Sequence, residues 1–237
     1  MKKYSIIQKL LLTVSTLCIS IILFSCQTMP KTSENTIEKE YEPILSRDLL
    51  GQGQLSVPQL CKYFLSQNPS YDPVKIANLA YDYVKEAAAE NINSDVAFAQ
   101  MCLETGYLKY GNLVTPDMNN FCGLGAMDEQ NKGCVFPTPT IGVRAHIQHL
   151  QAYATTAEVE LNKELVDPRY SWPHKAKYTK DIWGLSGTWA TDPNYAIKID
   201  NNLKKIFSFE ITILVKDKRL YIVGYISISI FYISPTI

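Results

Sequence analysis

The sequence has no surplus of charge: Lys+Arg and Asp+Glu stand at 23 each in 237 residues. With no long-range positive field to gather a polyanion, nucleic acid is excluded as the expected partner. There is no Cys-x₂-Cys pair and there are only three His, so zinc lacks its usual starting ligands. Neither charge nor Gly/Pro content breaks the chain into two domains, and no internal repeat is visible. What is present is apolar and aromatic: 46% hydrophobic residues, with 15 Tyr, 8 Phe and 3 Trp. That is enough for one sizeable core and rules out pervasive disorder.

The first 25 residues contain Lys2, Lys3 and Lys9 but no acid. Removing these three from 23 leaves 20 basic side chains against 23 acidic ones, a slightly acidic mature chain. The uncharged run Leu10 to Ser25 is 16 residues long, at or below the roughly 17–25 needed to cross hydrocarbon. A basic start followed by such a run reads as an export signal. It ends on Leu23-Phe24-Ser25-Cys26, which resembles a bacterial lipobox and makes Cys26 the expected lipidation site. Acyl chains there, at about 0.8 kcal/mol per buried CH₂, hold a protein to a membrane. Residues 26–55 then read as a polar tether.

Cys61, Cys102, Cys122 and Cys134 remain for the exported domain. An even number outside the cell permits disulfides, and four Cys allow three pairings. Cys122 and Cys134 flank a short loop and form the favoured pair.

Five or six helices are expected. Ser56 to Gln67 opens on a Ser cap, and Pro73 opens a second run with Ile76, Leu79, Ala80, Tyr83 and Ala87 on one stripe to Glu90. Asn91 to Asp95 caps a third helix, apolar on nearly every face, that stops at Gly106. Ile141 to Thr155 and Asp192 to Ile206 complete the set. The stretch Lys109 to Thr140 is Gly- and Pro-rich, so it reads as a structured loop with a small β-hairpin. The expected fold is mainly α, over residues 56–206. Residues 207–237 form an apolar tail, locally a β-hairpin by pattern. A membrane-associating tail and residues outside the natural reading frame are the other readings.

Glu104 is the informative residue. It sits on the last turn of the apolar helix, just before Gly106. Partial burial and the negative helix end both oppose its ionised form, so its pKa is expected to rise, as a general acid requires. Around it stand Asn119, Asn120 and Phe121, and later Trp189, Asp192 and Tyr195. Sugars ask for that mixture: aromatic faces cover C–H surfaces while amides and carboxylates take hydroxyls.

Five blocks then carry a resemblance: Ser94-Asp-Val-Ala-Phe-Ala-Gln-Met-Cys-Leu-Glu-Thr-Gly106, Asn119 to Ala126, Gly142 to Leu150, Asp167-Pro-Arg169 and Gly187 to Ala196. In order and spacing they resemble the glucosaminidase domains of bacterial cell-wall hydrolases. The resemblance implies a lysozyme-like helical domain with a small loop or β-hairpin lobe over the cleft. It implies an endo-β-N-acetylglucosaminidase that cuts the peptidoglycan strand after N-acetylglucosamine, with no cofactor. It makes Glu104 the general acid, puts Tyr195 in the cleft, and has Trp189 and the Asn119–Asn120 loop shape the subsites.

A second carboxylate is usually needed about 5 to 9.5 Å away unless the substrate's own N-acetyl group substitutes for it. Glu129 and Asp128, in the Gly/Pro-rich loop, are the candidates beside assistance by the N-acetyl oxygen; Asp192 fits a helix cap better. His146 and His149, three apart on a helix, read as packed residues before they read as metal ligands. Cys102 reads as a packed thiol. The expectation is therefore a lipid-anchored peptidoglycan hydrolase of the cell envelope. A lytic transglycosylase and a non-catalytic peptidoglycan-binding lipoprotein are the alternatives, and the oligomeric state is not legible.

Overall fold

The computed structural model describes residues 45–209 apart from 158 and 176. The expected signal, Cys26 and the expected tail beyond 209 lie outside the described residues. Five helices form the domain: α1, Val57–Gln67; α2, Pro73–Ala89; α3, Ser94–Glu104; α4, Pro139–Tyr153; and α5, residues 195–209. Among the described residues there is no strand, only isolated bridges. No described helix is long and apolar enough to cross a membrane.

Each start follows from a side chain that satisfies the first free N–H groups. Gln59 Oε1 accepts from Ser56 N at 2.7 Å ahead of α1. Asp72 Oδ1 accepts from Val74 N at 2.8 Å, with Pro73 in the first helical position. Asn93 caps α3 through Asp95 N at 3.1 Å, and Thr138 caps α4 through Ile141 N at 3.3 Å, again with a Pro leading. These are the punctuation marks visible in the sequence.

Helix α2 is the hub, packed against α1, α3 and α4. Its stripe Ile76, Leu79, Ala80, Tyr83 and Ala87 is buried as the 3.6-residue period requires. Helix α3 is buried along its whole length from Ser94 to Cys102. A segment enclosed on every side is a rigid mount for whatever its end carries.

The expected boundary at residue 56 is too late. Leu45, Leu49 and Leu55 are core residues, and the arm they belong to is fastened by its backbone. Leu49 N donates to Lys180 O at 3.0 Å, Asn93 N donates to Leu49 O at 2.9 Å, and the buried Asp95 carboxylate accepts from Gln54 N at 2.7 Å. Residues 45–55 are therefore part of the domain and not tether. At the other end α5 runs to 209, so the tail assignment also begins too early; Phe207 and Phe209 pack on the core.

The expected β-hairpin shrinks to a single Ala126–Lys132 bridge around the Asp128–Asn131 turn. Glycine explains why: Gly123, Gly125 and Gly133 take positive φ of 67°, 76° and 117°, which breaks extended pairing. Gly142 on α4 meets the same loop, and a Cβ there would collide with Asn119 O. That close approach docks the loop on the helix.

Candidate active site

Helix α3 ends in a hydrogen-bonded reversal that fixes its last side chain. Thr105 is the C-cap and Gly106 follows at φ +55°. Gly106 N donates to Leu103 O at 3.3 Å and Tyr107 N to Cys102 O at 2.8 Å, the Schellman pattern. Glu104 is thus the last helical residue, half-buried, held on a rigid end.

Its two carboxyl oxygens have different surroundings. Oε1 accepts from the Trp189 Nε1–H at 3.0 Å and from the Tyr195 hydroxyl. Among the described residues Oε2 makes no hydrogen bond, and it is the nearest atom to the space beside Gly123. A proton on this carboxyl therefore belongs on Oε2. Burial pushes the Glu104 pKa above the ordinary carboxylate value, and the two donors partly offset it by favouring the ionised form.

Behind Tyr195 lies a chain of buried polar groups. Gln100 Nε2 donates to the Tyr195 hydroxyl oxygen at 2.8 Å, and Gln100 Oε1 lies 3.0 Å from His146 Nε2. His146 Nδ1 lies 2.9 Å from the Tyr83 hydroxyl. Burial, then the neighbouring His149, hold the His146 pKa down at about 3, so the ring is neutral at pH 7. The pattern of partners assigns its tautomer. Nε2–H donates to Gln100, and Nδ1 accepts from Tyr83. Every donor in the series Tyr83, His146, Gln100, Tyr195 then points toward Glu104. Burial also keeps the Tyr195 hydroxyl protonated, as a donor must be.

A cavity of about 440 Å³ opens over this carboxyl, lined by Glu104, Tyr110, Asn112, Cys122, Gly123 and Trp189 among others. Among the described residues Glu104 is its only carboxylate. Trp189 also packs beside His149 and Tyr153, with ring centroids 5.1 Å apart in each case.

Several expected site residues have other work. Asn120 is wholly buried; its amide donates to Leu124 O and Cys134 O and accepts from Leu124 N and Cys122 N. It organises the loop backbone and has no hydrogen-bonding group left for a sugar. Asn119 takes the left-handed conformation and donates to Phe136 O at 2.9 Å, and Phe121 is core. Of the three only Asn120 lines the Glu104 cavity; Asn119 and Phe121 line a separate one. Asp128 holds a turn by accepting from the Asn131 side chain, Asn131 N and Gln130 N, and these bonds, the first above all, lower its pKa. Glu129 lies against Lys132 at 3.6 Å. Neither lines the Glu104 cavity. Asp192 accepts from Asn194 N at 2.8 Å and pairs with Lys198 at 2.6 Å, bracing the entry to α5.

The favoured disulfide is not formed. Cys122 and Cys134 are free thiols, packed in one apolar cluster with Leu124, Phe136 and Ala145. Asn120 supplies the cross-loop ties instead. Cys102 is buried on α3 and burial raises its pKa, so it is a packed thiol. His149 is occupied by Asp167 at 2.7 Å. Among the described residues no metal-binding cluster exists.

A buried helix that delivers one acid of raised pKa to an aromatic-flanked cavity suits the proton-donating half of glycoside hydrolysis. Residues 80–207 match the glucosaminidase family model, described as mannosyl-glycoprotein endo-beta-N-acetylglucosaminidase. A protein of Borreliella burgdorferi, described as uncharacterized, is 39% identical over 171 residues, covering 72% of this chain and 78% of the relative. The chain belongs to the glucosaminidase family, whose substrates are glycans of the peptidoglycan type.

Proposed function

We propose that the protein is an endo-β-N-acetylglucosaminidase that hydrolyses the peptidoglycan strand after N-acetylglucosamine, with Glu104 as general acid. The observation that carries the reading is the asymmetry of the Glu104 carboxyl: Oε1 is held by Tyr195 and Trp189 while Oε2 is left toward the cavity. In the first step Oε2–H protonates the departing glycosidic oxygen as the C1–O bond breaks. With no second carboxylate lining the cavity among the described residues, the substrate's acetamido oxygen attacks C1 and closes an oxazolinium ring. Glu104, now ionised and stabilised by its two donors, then takes a proton from water as that water opens the ring at C1. The acid is regenerated and a reducing N-acetylglucosamine end remains.

The same single-acid arrangement also supports a lytic transglycosylase, in which a sugar hydroxyl replaces water. Mass spectrometry of muropeptides released from purified sacculi separates the two. Reducing ends are expected; products lighter by one water would overturn hydrolysis. The basic, uncharged and Leu-Phe-Ser-Cys26 sequence supports a lipid-anchored enzyme of the envelope. Incorporation of labelled palmitate that is lost in Cys26→Ala is the expected result.

A further inference from the structure

The Glu104 cavity has a second arm. A space of about 160 Å³ continues past Trp189, and Cys122, Gly123, Ala126 and Trp189 line both. Its far wall is His149, Tyr153, Arg169 and Trp172, and among the described residues Arg169 is the one cation lining it. The other two described arginines each close on a carboxylate at 2.8 Å, Arg47 on Asp200 and Arg144 on Glu86. Arg169 makes no ion pair among the described residues. The carboxylate nearest in sequence is already committed: Asp167 Oδ1 accepts from the Arg169 backbone N at 2.8 Å and Oδ2 from His149 at 2.7 Å. That carboxylate fixes the loop and leaves the guanidinium unpaired.

The guanidinium carbon sits 5.3 Å from the ring centre of Trp172, a residue that is 46% exposed. Stacking on an indole orders a guanidinium while leaving its N–H edge available, the geometry that forks a carboxylate. Lys177 Nζ, 5.5 Å from the same ring, adds positive charge beside it. We infer that this arm is a subsite for a carboxylate carried by the glycan near the scissile bond, with Arg169 as the specificity-determining residue and Trp172 as its support. The inference rests on the proposed glycan substrate. Two sources carry such a group: the lactyl ether of a bare muramyl residue, and the stem peptide that replaces it as an amide. Neutral chito-oligosaccharides carry neither.

The test measures binding, so that it stands apart from cleavage. The full chain bearing Glu104→Gln is titrated calorimetrically, with and without Arg169→Gln, against bare glycan strands, peptide-bearing strands and chito-oligosaccharides of equal length. Arg169→Gln is expected to lower the ratio of strand affinity to chito-oligosaccharide affinity about 10- to 100-fold, the usual worth of a charged hydrogen-bonded pair. Arg169→Lys, which keeps charge but not the fork, is expected to fall between, and it guards against misfolding of the Gln variant. Loss confined to bare strands assigns the lactyl carboxylate, and loss confined to peptide-bearing strands the stem peptide. An unchanged ratio for both, or no binding of either strand by the Glu104→Gln chain, would overturn the inference. Failure of the wild-type chain to release reducing ends would overturn the hydrolase reading alone.

Discussion

Two regions of the domain carry carboxylates that the sequence offers for catalysis, and they treat them in opposite ways. At the end of α3, Glu104 is half-buried and its pKa is pushed up by burial. At the tip of the Gly-rich loop, Asp128 is exposed and its pKa is pulled down by hydrogen bonds from Asn131 and Gln130. A helix enclosed on all sides can withhold water from its terminal side chain and aim it. A turn in solvent needs its acid ionised to hold the backbone together. On the proposed reading the chemistry resides on the helix, and the loop supplies shape.

The largest effect expected from breaking this contrast is Glu104→Gln. Loss of a general acid lowers turnover about 100- to 10,000-fold, read as reducing ends released from sacculi. The same variant also tests the energetics. A carboxyl with a raised folded pKa contributes stability that is present below its unfolded pKa and is lost as pH rises through the folded value. Gln cannot ionise, so Glu104→Gln is expected to raise the melting temperature at pH 8 relative to wild type and to leave it nearly unchanged at pH 4.

Next comes Tyr195→Phe. The lost hydroxyl favoured the ionised carboxyl, so the Glu104 pKa rises further and the alkaline limb of the kcat/KM profile moves to higher pH. Turnover falls about 10-fold or more with the loss of a charged hydrogen bond. Gln100→Leu is expected to shift that limb in the same direction by less, because Gln100 acts only through the orientation of Tyr195. In the Tyr195→Phe background the Gln100→Leu shift is expected to vanish, which a double-mutant cycle reads directly. Gln100→Leu also leaves His146 Nε2–H unsatisfied, at a cost to stability of about 1–3 kcal/mol.

The smallest effect is expected from Asp128→Asn with Glu129→Gln. Both lie on the exposed turn outside the Glu104 cavity, so turnover on sacculi is expected to stay within about two-fold, the range of ordinary surface changes. A collapse of activity would give the loop the catalytic part assigned here to the helix.

The helices and Glu104 were legible because their signals are local. Pro73 and the Asn91–Asp95 caps mark starts, Gly106 marks a stop, and α3 is apolar on nearly every face, while α4 starts at Pro139, two residues before the expected Ile141. The relay was not legible. Gln100 sits within the Ser94–Gly106 stretch, but its partners are His146, 46 residues on, and Tyr195, 95 residues on, and no spacing rule connects them. The same limit hid the arm at 45–55. Its three buried leucines follow no helical period among Ser46, Arg47, Asp48, Gln52 and Gln54, and what holds it is backbone pairing to distant residues. The Asn119–Asn120 pair misled in the other direction. Amides suit sugars, but Asn120 satisfies both ends of its amide on the loop that it organises.

Burial makes the Glu104 carboxyl keep its proton to a higher pH than an ordinary carboxylate. Carbon-13 NMR titration of the side-chain carboxyls, with Glu104→Gln to assign the resonance, measures this directly. The expected result is a Glu104 midpoint above the ordinary glutamate value and an Asp128 midpoint below the ordinary aspartate value in the same sample. A Glu104 resonance already fully ionised at or below its ordinary value would contradict it.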